Sequence, residues 1–450
     1  MSLQEHPAQT GPKLKRALSL WDLAFIGIII IQPTAPMPVF GVVSQEARGH
    51  VVTTILVAMV AMLFTAISYG RMARAYPSAG SAFTYVGREI NPVLGYATGW
   101  SMAMDYMMNP IICTIWCSKA AMNIIPEIPF AVWAVSFALL FTVLNLRGIR
   151  ASARMNEGLA TAMGVVILIF FGAVIRYLLK SPPSGAVAFI RPFYDPRTFS
   201  PSLVLTGTSI AALTYIGFDG ISTLSEEVEN PRRNILLATV LICVITGILA
   251  SLEVYAAQLV WPDYRSFPDA DTAFAHVAGR AGGTLLFQLV NFTLLVATFG
   301  SGFGSQLAAA RLLYGMGRDN AIPKRFFGAI DAASSVPRNN VIFVGALALA
   351  GAFLLTFQLG AELLNFGAFI AFMGVNAAAF LRYWVRADTK RWHNFFPPLL
   401  GLFICFYIWL SLRRPAKIAG AVWLTFGLVY GAIRTKGFRS NLIRFDMPAD

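Results

Sequence analysis

Charge is scarce in this 450-residue chain: 13% of residues are charged and 57% hydrophobic, whereas a water-soluble domain carries roughly twice that charged fraction. Bulk water is therefore not its main solvent. Cysteine is scarcer still. Cys113, Cys117, Cys243 and Cys405 all lie inside apolar runs, which argues against a disulfide framework or a closed zinc site. The four histidines, His6, His50, His276 and His393, are scattered, and there is no H-E-x-x-H motif, so the convergent catalytic set of a membrane enzyme is missing. A channel is disfavoured by the lack of a filter repeat or gating-charge array. A solute sensor is disfavoured by tails too short to hold a signalling domain. A cleavable leader is not expected, because the first apolar run is full-length and lacks a small-residue cleavage site.

What the chain has instead is apolar runs, each long enough to cross a hydrocarbon core of roughly 30 Å as a helix. The pattern predicts an all-α integral membrane protein with segments at 19–44, 51–70, 93–121, 129–145, 155–179, 202–225, 235–260, 283–316, 340–358, 361–384, 395–412 and 417–434. Strands are a poor alternative, since the runs are continuous rather than alternating. Between segments, 180–201 and 261–282 are the longest connections on the predicted outer side. The second mixes prolines, aspartates and an apolar stretch, which predicts a short helix over the outer mouth. The formal net charge of +13 does not read as a nucleic-acid patch, because the basic residues fall in short connections. With the N-terminus in the cytoplasm, roughly two thirds of them lie on the cytoplasmic side. Arg176, Lys180, Arg191 and Arg197 are the exception, flanking the outer 180–201 connection.

Two segments break helix rules in their middles. Gln32-Pro33-Thr34-Ala35-Pro36-Met37-Pro38 places three prolines where a helix needs backbone donors. Tyr215-Ile216-Gly217-Phe218-Asp219-Gly220 sets two glycines and a carboxylate inside an apolar run. A simple kink explains either alone. Together, five segments apart, they point to a transporter of inverted repeats with substrate near the midplane. Ionisable groups in such segments are costly and few. Asp105 and Asp219 are the natural partners of a bound ammonium, or carriers of a coupling proton, or caps of broken helices. Glu253 lies toward the outer end of the seventh segment. Tyr106, Tyr215 and Phe218 offer aromatic faces to a cation, or ordinary packing.

Gly217-Phe218-Asp219, Ser225-Glu226-Glu227 and Asn230-Pro231-Arg232 resemble the sixth-segment signature of the amino acid-polyamine-organocation superfamily. Tyr76-Pro77-Ser78-Ala79-Gly80-Ser81, Arg311-Leu312-Leu313-Tyr314 with Gly317-Arg318-Asp319, and Asn365-Phe366-Gly367-Ala368 are similar to its other motifs. Within it, Ile67-Ser68-Tyr69-Gly70, Asp105-Tyr106 and Thr223-Leu224-Ser225-Glu226-Glu227 most resemble the bacterial putrescine importers. The resemblance runs from about Leu18 to Arg434 and implies two inverted five-helix repeats plus two further helices, working by alternating access. The chain then divides into a cytoplasmic tail (1–18), a first repeat (19–179), an outer loop (180–201), a second repeat (202–384), two final helices (385–434) and a cytoplasmic tail (435–450).

The resemblance implies a substrate site built from Gln32, Thr34, Asp105, Tyr106, Ile216, Gly217, Phe218, Asp219 and Gly220. Candidates for gating or coupling are Tyr215, Glu226, Glu227, Ser301 and Ser305. Glu226 and Glu227 also fit a structural role, anchored by Arg232 and Arg233. Two departures matter. Relatives that carry amino acids usually have a glycine-rich first break whose N–H groups hold a carboxylate, whereas prolines occupy it here. Some proton-coupled relatives place a lysine in the fifth segment where this chain has Met163. The expectation is a multi-pass protein of the bacterial cell membrane, with no cofactor, metal or nucleic-acid partner. It would move an amine first, or an amino acid second, with a proton or sodium gradient.

Overall fold

The computed structural model describes residues 19–76, 81–147, 153–183, 185–219, 221, 228–318, 322–331 and 336–438. Its helices are α1 (Leu20–Ile31), α2 (Phe40–Glu46), α3 (Val51–Ala75), α4 (Ser81–Glu89), α5 (Pro92–Met122), α6 (Phe130–Leu146), α7 (Ala153–Lys180), α8 (Val187–Ile190), α9 (Pro201–Ala211), α10 (Pro231–Val260), α11 (Ala273–Gly282), α12 (Thr284–Arg318), α13 (Lys324–Phe327), α14 (Arg338–Leu354), α15 (Phe357–Phe380), α16 (Trp392–Leu410) and α17 (Arg414–Arg434). No β-strand occurs among the described residues. Seven of these helices are long and apolar enough to cross a membrane.

Both predicted interruptions are present. α1 ends at Ile31, and Gln32 takes a positive φ of 70°, a region that a residue with a Cβ enters only at a cost. The chain then runs through turns to α2. Ala35 N–H donates to Gln32 O (3.1 Å) and Met37 N–H to Thr34 O (3.0 Å), so the prolines leave a self-bonded linker. In the sixth segment, α9 tightens into a 3₁₀ turn over Ala212–Tyr215, and Ile216 is extended. Gly217 has φ 120°, a conformation open to glycine and strained for other residues.

The ninth predicted segment does not run on to Gln358. Leu355 is extended, and the Thr356 side chain accepts from Leu359 N–H, so α14 stops at Leu354 and α15 starts at Phe357. α11 is the helix expected in the 261–282 connection. α4, α8 and α13 were not predicted. α4 is short and its mean hydropathy is low, yet most of its residues are buried because it packs against α5 and α15.

α3, α5 and α15 form the buried centre. α3 packs against α10, and α5 against α15 and α12. Gly70 admits the close approach of α3 to α10, since a Cβ there would lie 2.6 Å from Leu236 Cα. Leu139 on α6, Leu168 on α7, Phe403 on α16 and Val422 on α17 point outward exposed. Such a surface is stable against lipid and a liability in water. α17 is fastened to α5 by a reciprocal pair: Trp100 Nε1–H donates to Trp423 O and Trp423 Nε1–H to Trp100 O, each at 3.0 Å, with the indoles stacked 5.0 Å apart.

Ion pairs close the two ends of α5. Beside its N-terminus, buried Glu89 receives Arg382 (2.5 Å) and Arg386 (2.9 Å) from the end of α15. Tyr76 Oη donates to the same carboxylate at 2.7 Å. At the other end, Lys119 pairs with Asp271 (2.6 Å) and Asp269 (3.3 Å) before α11. On that face Arg413 also binds Glu362 at 2.7 Å, with Glu46 at 3.8 Å.

Candidate functional site

The half-unwound sixth segment delivers Phe218 and Asp219 to the middle of the bundle, where α3, α4, α5 and α15 meet. Phe218 is fully buried, its ring 5.6 Å from Tyr69 on α3 and 5.4 Å from Phe372 on α15. Tyr69 also contacts Tyr85 of α4 (6.2 Å) and Phe372 (6.0 Å), edge to face. Into this aromatic set α5 brings Asp105 and Tyr106. Asp105 and Asp219 are within electrostatic reach of each other. Both also lie within that reach of Tyr69 and Tyr106, and Asp219 of Cys243. Two carboxyls and three phenols therefore converge at one level. At that level Gly367 lets α15 press on α5, since a Cβ there would lie 2.3 Å from Ser101 O and 3.3 Å from Asp105 N.

Tyr69 carries a second signal. Its hydroxyl is buried without a hydrogen-bond partner among the described residues, an arrangement that costs about 1–3 kcal/mol unless a further group supplies the bond. Tyr69, Tyr85 and Phe372 were not among the predicted site residues. The Ile67-Ser68-Tyr69-Gly70 stretch entered only through its likeness to the importers, and nothing local separates these aromatics from packing residues.

The first break lies against α7 and α12. Gln32 Nε2–H donates to Ala297 O at 3.0 Å, and buried Thr34 Oγ1–H to Met163 Sδ at 3.3 Å. Met163, the position expected to match that lysine, thus meets the break directly, with a thioether. Of the four N–H groups from Gln32 to Pro38, three donate to backbone carbonyls, so little of that stretch is left to hold a carboxylate. Ser301 Oγ–H donates to Asn109 Oδ1 at 3.5 Å, and Ser305 Oγ–H to Gly302 O of its own helix at 3.2 Å. Tyr215 is buried, its hydroxyl donating to Ile55 O at 2.9 Å. That bond fastens the sixth segment to α3. Ile216 and Gly217 are half-buried at the turn. Gly220, Glu226 and Glu227 lie outside the described residues. Glu253 is fully buried on α10, with neither carboxyl oxygen hydrogen-bonded among the described residues.

A sequence model described as amino acid permease matches residues 37–413. The chain belongs to the amino acid permease family. It is 33% identical to the low-affinity putrescine importer PlaP of Escherichia coli strain K12, over 99% of each chain. The cationic amino acid transporter 4, vacuolar, of Arabidopsis thaliana is 28% identical over 84% of this chain and 65% of its own length. The branched-chain amino acid permease BcaP of Lactococcus lactis subsp. cremoris is 24% identical over 94% of this chain and 96% of its own. The family is one of multi-pass membrane transporters, which agrees with the apolar helices and the lipid-suited surface.

Proposed function

We propose that this permease imports a small organic cation, a diamine of the putrescine class, with Asp105 and Asp219 as its ammonium partners. The observation that carries this reading is the convergence of the two carboxyls with Tyr69, Tyr85, Tyr106 and Phe218. A cation moved from water to a low-dielectric cavity needs an opposing charge, and aromatic faces add roughly 0.5–2 kcal/mol when desolvated. Two carboxyls suit a solute with two ammonium groups better than a zwitterion. The spent N–H groups of the first break support the same choice. Gln32, Thr34, Ile216, Gly217 and Gly220 would line the cavity at the two breaks.

In this reading the chain crosses the bacterial cell membrane twelve times, with 19–179 and 202–384 as inverted repeats and both termini in the cytoplasm. Alternating access then opens in turn the faces closed by Glu89 and by Lys119. The driving ion is a proton or sodium. Tyr215, Glu226, Glu227, Ser301 and Ser305 remain the gating and coupling candidates, and the Met163 thioether itself carries no proton. The second reading is an amino acid permease or exchanger, favoured by the several relatives named for amino acids.

Uptake into proteoliposomes decides between them, comparing diamines, cationic amino acids and neutral amino acids under separately imposed proton and sodium gradients. Diamine uptake abolished by Asp219→Asn in a folded protein is the expected result. Preference for a neutral zwitterion would overturn the amine reading.

A further inference from the structure

A cavity of about 450 Å³ opens well away from the carboxyls, on the face that carries α8 and α11. Its walls come from the ends of α7 and α10, the α2–α3 turn, α8 with the turn after it, and α11. Three guanidiniums, Arg48, Arg191 and Arg280, line it against one carboxylate, Asp195. That excess of positive charge repels an organic cation, so the cavity is no part of the proposed substrate route. It also accounts for part of the charge on the 180–201 connection that runs against the topological rule.

Two of the arginines, Arg280 and Arg191, are braced through Nε. Arg280 donates from Nε to Tyr177 Oη (3.2 Å), and its guanidinium lies 4.9 Å over the Trp261 ring. Arg191 faces Asp195 Oδ2 through Nε, at 3.7 Å. In both, no hydrogen bond from the paired terminal nitrogens occurs among the described residues, which leaves them to a planar or tetrahedral oxyanion in the bidentate geometry that guanidinium favours. Gln258, 6% exposed, lines the cavity too. Its Nε2–H is used on Gly49 O, and its buried Oε1 has no donor among the described residues. The site therefore asks for an oxyanion that also carries a hydroxyl or ammonium donor.

Its depth identifies the source. α7 leaves its apolar span at Lys180, and Val187 and Ile190 of α8 are 65% and 56% exposed beside the cavity, so the guanidiniums sit at the boundary between hydrocarbon and headgroup. Guanidiniums clustered at that level meet headgroup phosphates, which they bind by bidentate, charge-assisted hydrogen bonds. We propose that this cavity holds a phosphate ester, supplied by an anionic glycerophospholipid whose headgroup hydroxyl reaches Gln258.

The test uses the purified full-length protein in detergent and reads the thermal unfolding midpoint together with the lipids retained in native mass spectrometry. Phosphatidylglycerol, phosphatidylcholine and free glycerol 3-phosphate are titrated separately. Phosphatidylglycerol is expected to be retained and to raise the midpoint where phosphatidylcholine does not. Its half-saturating concentration should rise about tenfold in Arg48→Gln/Arg280→Gln. Arg176→Gln/Lys180→Gln, which alters charge outside the cavity, should leave it unchanged. Arg191→Gln serves if the double variant does not fold, and should weaken retention severalfold. Stabilisation by glycerol 3-phosphate equal to that by phosphatidylglycerol would overturn the lipid as the source. Undiminished lipid retention in the cavity variants would overturn the site. Neither readout depends on transport.

Discussion

Glu89→Gln is the most direct probe of how α4 is held to the residues that follow α15. Glu89 is 3% exposed and, among the described residues, receives bonds from Arg382, Arg386 and Tyr76. Glutamine keeps one acceptor oxygen and loses the charge. Removing one partner of a fully buried pair costs about 3–5 kcal/mol, but Arg382 and Arg386 are 39% and 56% exposed and recover water when released. Exposed pairs contribute about 0.2–1 kcal/mol each. With the Tyr76 bond at about 1 kcal/mol, the substitution should destabilise by about 1–3 kcal/mol. The assay is thermal unfolding in detergent of Glu89→Gln, Arg382→Gln and the double variant. The cycle should return a coupling energy of about 1 kcal/mol, because the two groups share a bond. A coupling indistinguishable from zero would refute the assignment of this cluster as a clamp, whatever the single variants do.

Gly367→Ala should lower stability and slow uptake, since the added methyl meets Ser101 O, a backbone atom that cannot swing aside. Uptake at the wild-type rate would show that α15 need not press on α5 at Asp105. Tyr69→Phe removes a buried hydroxyl that lacks a partner, so stability should stay or rise by about 1 kcal/mol while the uptake KM increases if that hydroxyl meets substrate. An unchanged KM would assign Tyr69 to packing. His276 on α11 is held below its ordinary value near 6.5 by burial, with Asp269 opposing. The unfolded chain therefore binds the proton more readily than the folded one, and stability is lost as pH falls from about 6.5. His276→Gln should flatten that part of the unfolding profile, and an unaltered slope would count against it.

The two helix breaks were legible because proline and glycine act locally: Pro33, Pro36 and Pro38 remove three backbone donors within six residues. The ends of α14 and α15 were misplaced because one threonine, Thr356, set the boundary within an unbroken apolar stretch. α4 was hidden for the opposite reason, since its low hydropathy reads as a loop until α5 and α15 are there to bury it. The aromatics that join the expected Phe218 and Tyr106 were illegible in a stronger sense. Tyr69, Tyr85 and Phe372 lie on three different helices, α3, α4 and α15, and each alone resembles the other aromatics of a membrane helix. Only their meeting beside Asp105 and Asp219 distinguishes them. The pairing of Glu89 with Arg382 spans nearly three hundred residues and had no local trace.

The reciprocal indole bonds between Trp100 and Trp423 make α17 a reporter. Because each tryptophan binds the other's backbone, a shift of one helix along the other by a single residue breaks both bonds at once, and small excursions are resisted equally in either direction. Any displacement of the N-terminal half of α5 is thus handed to α17, a peripheral helix with one apolar face exposed. A spectroscopic label on that outer face, at Val422 or Phe426, would follow the movement of the α5 segment bearing Asp105 without any probe entering the transport path.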